Sequence, residues 1–181
     1  MNVSTLSWID GDSQNGFCRM VEQTLLPAEF IEIDVKTVPD MVDAIWRLAV
    51  RGAPAIGVAA GYGMLLGVQA EAGRDRDDLM AHIQGTSETL AKARPTAVNL
   101  FWALDRMVRR AKVDFEAGAD SAGLVAGLFE EAKAIHTEDA AQCRRMGELG
   151  AELIQDGMAL LTHCNAGALA TGGMGTALAP M

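Results

Sequence analysis

Leu160-Leu161-Thr162-His163-Cys164-Asn165-Ala166-Gly167 sets a thiol, an amide and a glycine at the end of a short apolar run. The run 158–163 predicts a buried strand, and an uncharged glycine-rich segment, 167–180, follows it. A thiol at the carboxyl end of such a strand, facing a turn into a helix, sits where open α/β sheets bind their ligands. Close to a helix N-terminus its thiolate is stabilised and can work as base, acid or nucleophile. A buried cysteine acting as a small hydrophobe is the plainer reading of Cys164. Asn165 and Gly167 weigh against it, because a polar amide and a flexible backbone fill a core poorly. His163 is an unsuitable partner, since neighbours on a strand point to opposite faces. His82 and His136 read as surface residues of helices.

Two arginines stand beside prolines at expected helix junctions. In Arg51-Gly52-Ala53-Pro54 the glycine lets a ligand approach the backbone, and Arg51 can offer a charged fork to phosphate. The free N–H groups of the helix that follows would favour an anion. An ordinary helix–helix turn with an exposed arginine fits the same residues. Arg94-Pro95-Thr96 repeats the arrangement, and its arginine could equally complement the dipole of the preceding helix. Two such corners in one small helical domain could converge on one anion. The glycine-rich segment itself fails the nucleotide tests. Gly167 and Gly172 have phosphate-loop spacing, but Gly173-Met174 replaces Lys-Ser/Thr, and no GxGxxG follows the run 158–163. ATP and NAD are unsupported.

The elements that must position these groups are mostly helices. Residues 1–36 read as short strands and turns, with 30–35 alternating apolar and acidic side chains as an edge or hairpin strand does. Thr37 and Asp40 form a capping-box pattern for a helix with Val38, Met41, Val42, Ile45 and Leu48 on one face. That helix is expected to stop near Val50, before Gly52 and Pro54. Further helices are expected over 55–70, 77–93 and 97–112. Thr96 would cap the last of these, and Phe101, Leu104 and Val108 would face inward. The stretch 114–123 is the best candidate linker, and two helices, 124–135 and 138–155, should follow it. The predicted architecture is a mainly α amino-terminal domain with short strands (1–118). After it come linker helices and the first strand and helix of a Rossmann-like parallel α/β domain (119–181). One strand cannot make a sheet, so the sequence reads as the front portion of a larger protein.

Composition narrows the partners. The 181 residues carry a net charge of −9, which argues against a broad nucleic-acid or anionic-membrane surface. Three widely spaced cysteines without a CxxC fit a reducing cytoplasm and argue against a disulfide framework or zinc site. Residues 1–16, with Asp10 and Asp12, lack the basic start and apolar core of a targeting signal. The uncharged run 52–70 shows the small-xxx-small spacing of packed membrane helices. It opens with Pro54 after Ala53, however, and is poor in large apolar residues, so a helix buried on all sides of a core is expected instead.

Taken together, Val50 to Gly57, Ala93 to Leu100, Leu161 to Thr171 and Gly175 to Leu178 closely resemble the S-methyl-5-thioribose-1-phosphate isomerases of methionine salvage. The pieces lie in that family's order and spacing. Its fold relatives include ribose-1,5-bisphosphate isomerases and regulatory subunits of a translation-initiation exchange factor. The resemblance implies an aldose–ketose isomerase whose substrate, a small phosphorylated sugar, is held by Arg51, Gly52, Ala53 and Arg94. Cys164 would be one of two catalytic residues, and the other, an aspartate, would lie beyond Met181. Asp139 and Asp156 match no such motif. Val21-Glu22-Gln23 stands where Leu-Asp-Gln is usual, a departure expected to lie outside the site. The resemblance also implies a cytoplasmic homodimer needing no metal or organic cofactor. A ribose-1,5-bisphosphate isomerase and a non-catalytic regulatory subunit are the alternatives.

Overall fold

The computed structural model describes residues 4–9 and 15–181; Asp10 and Asp12 lie outside them. The chain begins with an antiparallel sheet of three strands in sequence order, β1 (Leu6–Ile9), β2 (Phe17–Val21) and β3 (Glu32–Val35). Alternation decides which face is buried. Cys18 and Met20 of β2 are fully buried, while Arg19 between them reaches across to Asp34 at 2.7 Å on the outer face. The expected strand at 30–35 is therefore the edge strand β3, starting at Glu32.

Five helices follow: α1 (Val38–Trp46), α2 (Ala53–Val68), α3 (Arg76–Ala91), α4 (Val98–Glu116) and α5 (Ser121–Ala151). The capping box of α1 is present in full. Thr37 accepts from the Asp40 N–H, and Asp40 accepts from the Thr37 N–H. The helix ends at Trp46, earlier than expected, and Leu48 turns the chain with φ +66°. Met41 and Ile45 are buried on the expected face.

At the centre stands α2, with every residue from Ala55 to Leu66 buried. Its alanines and glycines let four other helices approach closely. Gly63 and Gly67 face Leu90 and Thr86, so α2 and α3 run antiparallel. Gly61 faces Ala132 and Ile135 of α5, also antiparallel, and Gly57 lies against Asn99 in the first turn of α4. The N-termini of α2 and α4 therefore lie side by side. The expectation of a helix buried on all sides is met, and among the described residues no helix is long and apolar enough to cross a membrane.

Several expectations are corrected. Ala97, not Thr96, precedes α4, and no side chain caps it. Phe101 is exposed; the inner face is made by Leu100, Ala103, Leu104, Met107, Val108 and Ala111. The two helices expected over 124–155 are one continuous α5. The hydroxyl of Thr137, at the expected break, donates back to the Lys133 carbonyl and so is satisfied inside the helix. The largest correction concerns residues 158–163. They form no strand, and Leu161 is 99% exposed. Strands need neighbours for their N–H and C=O groups, and among the described residues this segment has none. The described residues thus form a helix-rich fold with one small sheet, and no Rossmann-like sheet is present among them.

Candidate functional site

The three pieces singled out in the sequence meet at one end of the helical bundle. The chain enters α2 through Arg51 and Gly52. Upstream, buried Gln23 donates its N–H to the Ala49 carbonyl, and Glu22 pairs with Arg47 at 2.5 Å, which fixes the approach. Burial alone would raise the Glu22 carboxyl, but hydrogen bonds from Thr24 and Arg47 outweigh it and hold it below the usual range. Gly52 is the N-cap of α2, at φ +99° and ψ 135°, a conformation that L side chains rarely adopt. No side chain caps the helix there, and Pro54 occupies the first turn as expected. Arg94 sits at the junction of α3 and α4, its carbonyl accepting the Ala97 N–H at 3.0 Å. Among the described residues neither Arg51 nor Arg94 joins an ion pair, whereas Arg47, Arg106 and Arg110 are each held by carboxylates.

The third piece arrives as a folded loop. Gly167 bridges Gly175, and the Ala166 carbonyl accepts the Thr176 N–H at 2.8 Å, closing the glycine-rich segment on itself. At its tip the 3₁₀ turn Ala168–Ala170 lies directly on Gly52. A Cβ placed on Gly52 would stand 2.5 Å from the Ala170 Cα. From the sheet side Thr5 donates to the Ala168 carbonyl at 2.6 Å and the Gln23 amide to the Leu169 carbonyl at 2.8 Å. Gln23, expected outside the site, therefore touches the loop that follows Cys164.

Cys164 is exposed, with φ +66°, where the extended segment bends into this loop. No strand precedes it and no full helix follows it, so the strand-end, helix-dipole setting expected for its thiol is absent. What sets it apart is access. Burial pushes the Cys18 and Cys143 thiols up, so both stay protonated and enclosed, and Cys164 is the exposed thiol. Among the described residues it bonds neither Arg51 nor Arg94. The loop, seated on Gly52, is what links the cysteine to the arginine corner.

Helix α5 closes the site from the opposite flank. The Gly172 N–H donates to Asp139 Oδ2 at 2.6 Å, and its carbonyl lies 2.9 Å from His136 Nε2. A carbonyl only accepts, so Nε2 carries the hydrogen. In the neutral ring Nδ1 then accepts from the buried Tyr62 hydroxyl at 2.6 Å. Burial pushes the Tyr62 hydroxyl up, keeping its proton in place. Burial also raises the Asp139 carboxyl, against the opposing pull of the Gly172 N–H and His136. His136 is thus a bonded, half-buried residue and not a surface one. His82 likewise bonds the Gly67 carbonyl at 2.8 Å. Beside this clamp a cleft of about 240 Å³ opens, lined by Pro54, Asn99, Trp102, Glu138, Asp139 and Gln142, among others. It joins the first turns of α2 and α4 to α5. His136 and Asp139 come onto one face only because α5 is continuous through the expected break, and nothing in the sequence tied that face to a glycine beyond the helix.

Residues 49–179 match the model of the initiation factor 2 subunit family. The chain belongs to that family. Within it, the chain is 49% identical over 179 residues to a 5-deoxyribose 1-phosphate isomerase of Moorella thermoacetica, covering 99% of this chain and 49% of that protein. It is also 49% identical over 176 residues to a methylthioribose-1-phosphate isomerase of Alkalilimnicola ehrlichii, covering 97% of this chain and 48% of that protein. Among solved structures, the 5-methylthioribose 1-phosphate isomerase of Pyrococcus horikoshii OT3 superposes with a TM-score of 0.86 at 36% identity, over 97% of this chain and 47% of that one. The translation initiation factor eIF-2B, subunit delta, from A. fulgidus gives a TM-score of 0.83 at 39% identity, over 97% and 49%. The chain spans about half the length of the curated relatives it matches. Family members thus carry both isomerase and initiation-factor names on this fold, and the fold alone does not choose between them.

Proposed function

We propose that the intact protein is an aldose–ketose isomerase that converts S-methyl-5-thioribose 1-phosphate to S-methyl-5-thioribulose 1-phosphate in methionine salvage. The observation that carries this reading is the seat of the 168–170 turn on Gly52. It ties the exposed thiol's own loop to a helix N-terminus flanked by a guanidinium without a carboxylate partner among the described residues. Phosphate binding by such a terminus needs no further group than the first-turn N–H donors and an arginine fork.

The chemistry explains why a thiol belongs there. A furanose with phosphate on its anomeric carbon cannot open to a free aldehyde. The ring must open with the phosphate in place, an acid protonating the ring oxygen while hydrogen moves from C2 to C1. A thiol beside the sugar can carry that proton, or stabilise the charge that develops, whether hydrogen moves as hydride or through an enol-type intermediate. In this reading Arg51, Gly52, Ala53 and Arg94 hold the phosphate and Cys164 serves the ring-opening step. The partner acid in this reading is an aspartate of a second, Rossmann-like domain.

5-Deoxyribose 1-phosphate differs only in lacking the methylthio group on C5, and the name of the Moorella relative makes it the second candidate substrate. The reaction at C1 and C2 is the same for both. Comparing kcat/KM of the intact protein for these two sugars and for ribose 1,5-bisphosphate tests the proposal. The methylthio sugar should be favoured, and no turnover of any of the three would refute isomerase function. Arg94→Ala should weaken sugar-phosphate binding about 10- to 100-fold, as loss of a charge-assisted hydrogen bond does. An unchanged dissociation constant by calorimetry would remove Arg94 from the site.

A further inference from the structure

We propose that Asp139 and His136 are positioning residues, which hold the backbone N–H and carbonyl of Gly172 and thereby fix the Cys164 loop against the α2 corner. The proposal rests on the isomerase reading for its kinetic consequences, but its geometry stands apart from that reading. The two residues lie one turn apart on α5. Asp139 takes the Gly172 N–H at 2.6 Å, and His136 Nε2 gives its hydrogen to the Gly172 carbonyl at 2.9 Å.

The bonds reach the two peptide units that flank the Gly172 Cα, so together they fix the backbone on both sides of that residue. The histidine is itself oriented, since Tyr62, buried in α2, donates to its Nδ1 at 2.6 Å and packs edge-on against the ring. The approach leaves no slack, because a Cβ on Gly172 would stand 2.5 Å from His136 Cδ2.

From this fixed residue the restraint passes in both directions along the loop. Thr171, fully buried, accepts the N–H groups of Gly173 and Gly175 at 3.2 and 3.1 Å. Gly175 pairs with Gly167, close to Cys164. On the other side of Thr171, Ala170 rests on Gly52. The clamp therefore acts at the point where the thiol's loop and the phosphate corner are joined. A carboxylate is suited to this task, since a charged acceptor bonds a backbone N–H more strongly than a neutral one.

A purely structural residue and a positioning residue differ in what their loss changes. Loss of the clamp should misplace the thiol relative to a sugar still held by the α2 and α4 corners, lowering kcat more than it raises KM. In the intact protein, Asp139→Ala should lower kcat at least tenfold with KM changed less than threefold. Asp139→Asn, whose amide oxygen still accepts the Gly172 N–H, should stay within threefold of wild type.

Iodoacetamide alkylation of Cys164, followed by mass spectrometry without substrate, gives a second readout. Its rate should change at least threefold in the alanine variant and not in the asparagine one. His136→Ala and His136→Gln, the latter keeping a donor for the Gly172 carbonyl, give the same comparison should Asp139→Ala fail to fold.

Alanine variants that keep both kcat and alkylation rate within twofold overturn the proposal. So do conservative variants that fall as far as the alanine ones. Should wild type turn over no sugar phosphate while alkylation still separates alanine from asparagine, the clamp stands and the isomerase reading falls.

Discussion

Replacing Cys164 with serine or alanine in the intact protein lowers kcat by about 100- to 10,000-fold, the usual contribution of a positioned proton-transfer group. Affinity for the sugar phosphate should change less than about threefold, because the proposed reading assigns binding to Arg51, Arg94 and the first turn of α2. The prediction follows from the division of labour at the bundle end. Cys164 is the exposed thiol, carried on a loop that touches the phosphate corner without belonging to it. Cys18 and Cys143 are buried with their thiols pushed up, so neither can substitute for it. Near-normal kcat in both variants, measured at saturating substrate, would assign the cysteine a purely structural part.

Gly52→Ala should be the most damaging single-methyl addition among the described glycines near the site. The new Cβ would meet the Ala170 Cα and Cβ at 2.5 Å, and the backbone is held at φ +99°. Conformational strain and overpacking against backbone each cost about 1–3 kcal/mol. A combined loss of roughly 3–5 kcal/mol lowers Tm by roughly 6–20 °C for a chain of this size. Well below its Tm the variant should also lose kcat/KM, since the loop must lift away from α2. Gly85 provides the contrast. It lies within α3 with nothing within 4 Å of an added Cβ, so Gly85→Ala should gain about 0.5–1 kcal/mol. A Gly52→Ala transition within about 2 °C of wild type by calorimetry would mean that the loop is not seated on α2.

Local chemistry was legible in the sequence wherever neighbouring residues settle it. The Thr37–Asp40 capping box, the proline in the first turn of α2 and the edge strand in 32–35 follow from side-chain geometry within a few residues. The all-round burial of α2 was legible because its alanines and glycines suit close packing and little else. Features that depend on distant partners were not. A break was expected between 135 and 138, yet the Thr137 hydroxyl bonds back within a helix that packs on α2 and α4. The apolar run 158–163 has a strand's composition and no strand beside it among the described residues, so composition alone misplaced it. Likewise the face bearing His136 and Asp139 gains its meaning only from Gly172, a contact that no spacing within α5 encodes.

Asp139 illustrates the same point at the site itself. Sequence motifs gave it no part, and a half-buried carboxylate on a long helix invites no attention. Its place against the loop gives it one, because it accepts the Gly172 N–H at 2.6 Å. Gln23 and Thr5 act similarly from the sheet side, where buried polar side chains bond the loop carbonyls of Leu169 and Ala168. Three separate layers thus converge on one glycine-rich loop. That convergence, more than any one motif, is what makes the bundle end the candidate site.

Protection of Cys164 from iodoacetamide by S-methyl-5-thioribose 1-phosphate tests the central claim most directly. With the intact protein, alkylation should slow at least tenfold at saturation. The concentration for half-protection should rise about 10- to 100-fold in Arg51→Ala and Arg94→Ala, as for loss of a charged hydrogen bond. An alkylation rate indifferent to the sugar phosphate, or protection equal in the arginine variants and wild type, would show that thiol and arginine corners do not share a ligand.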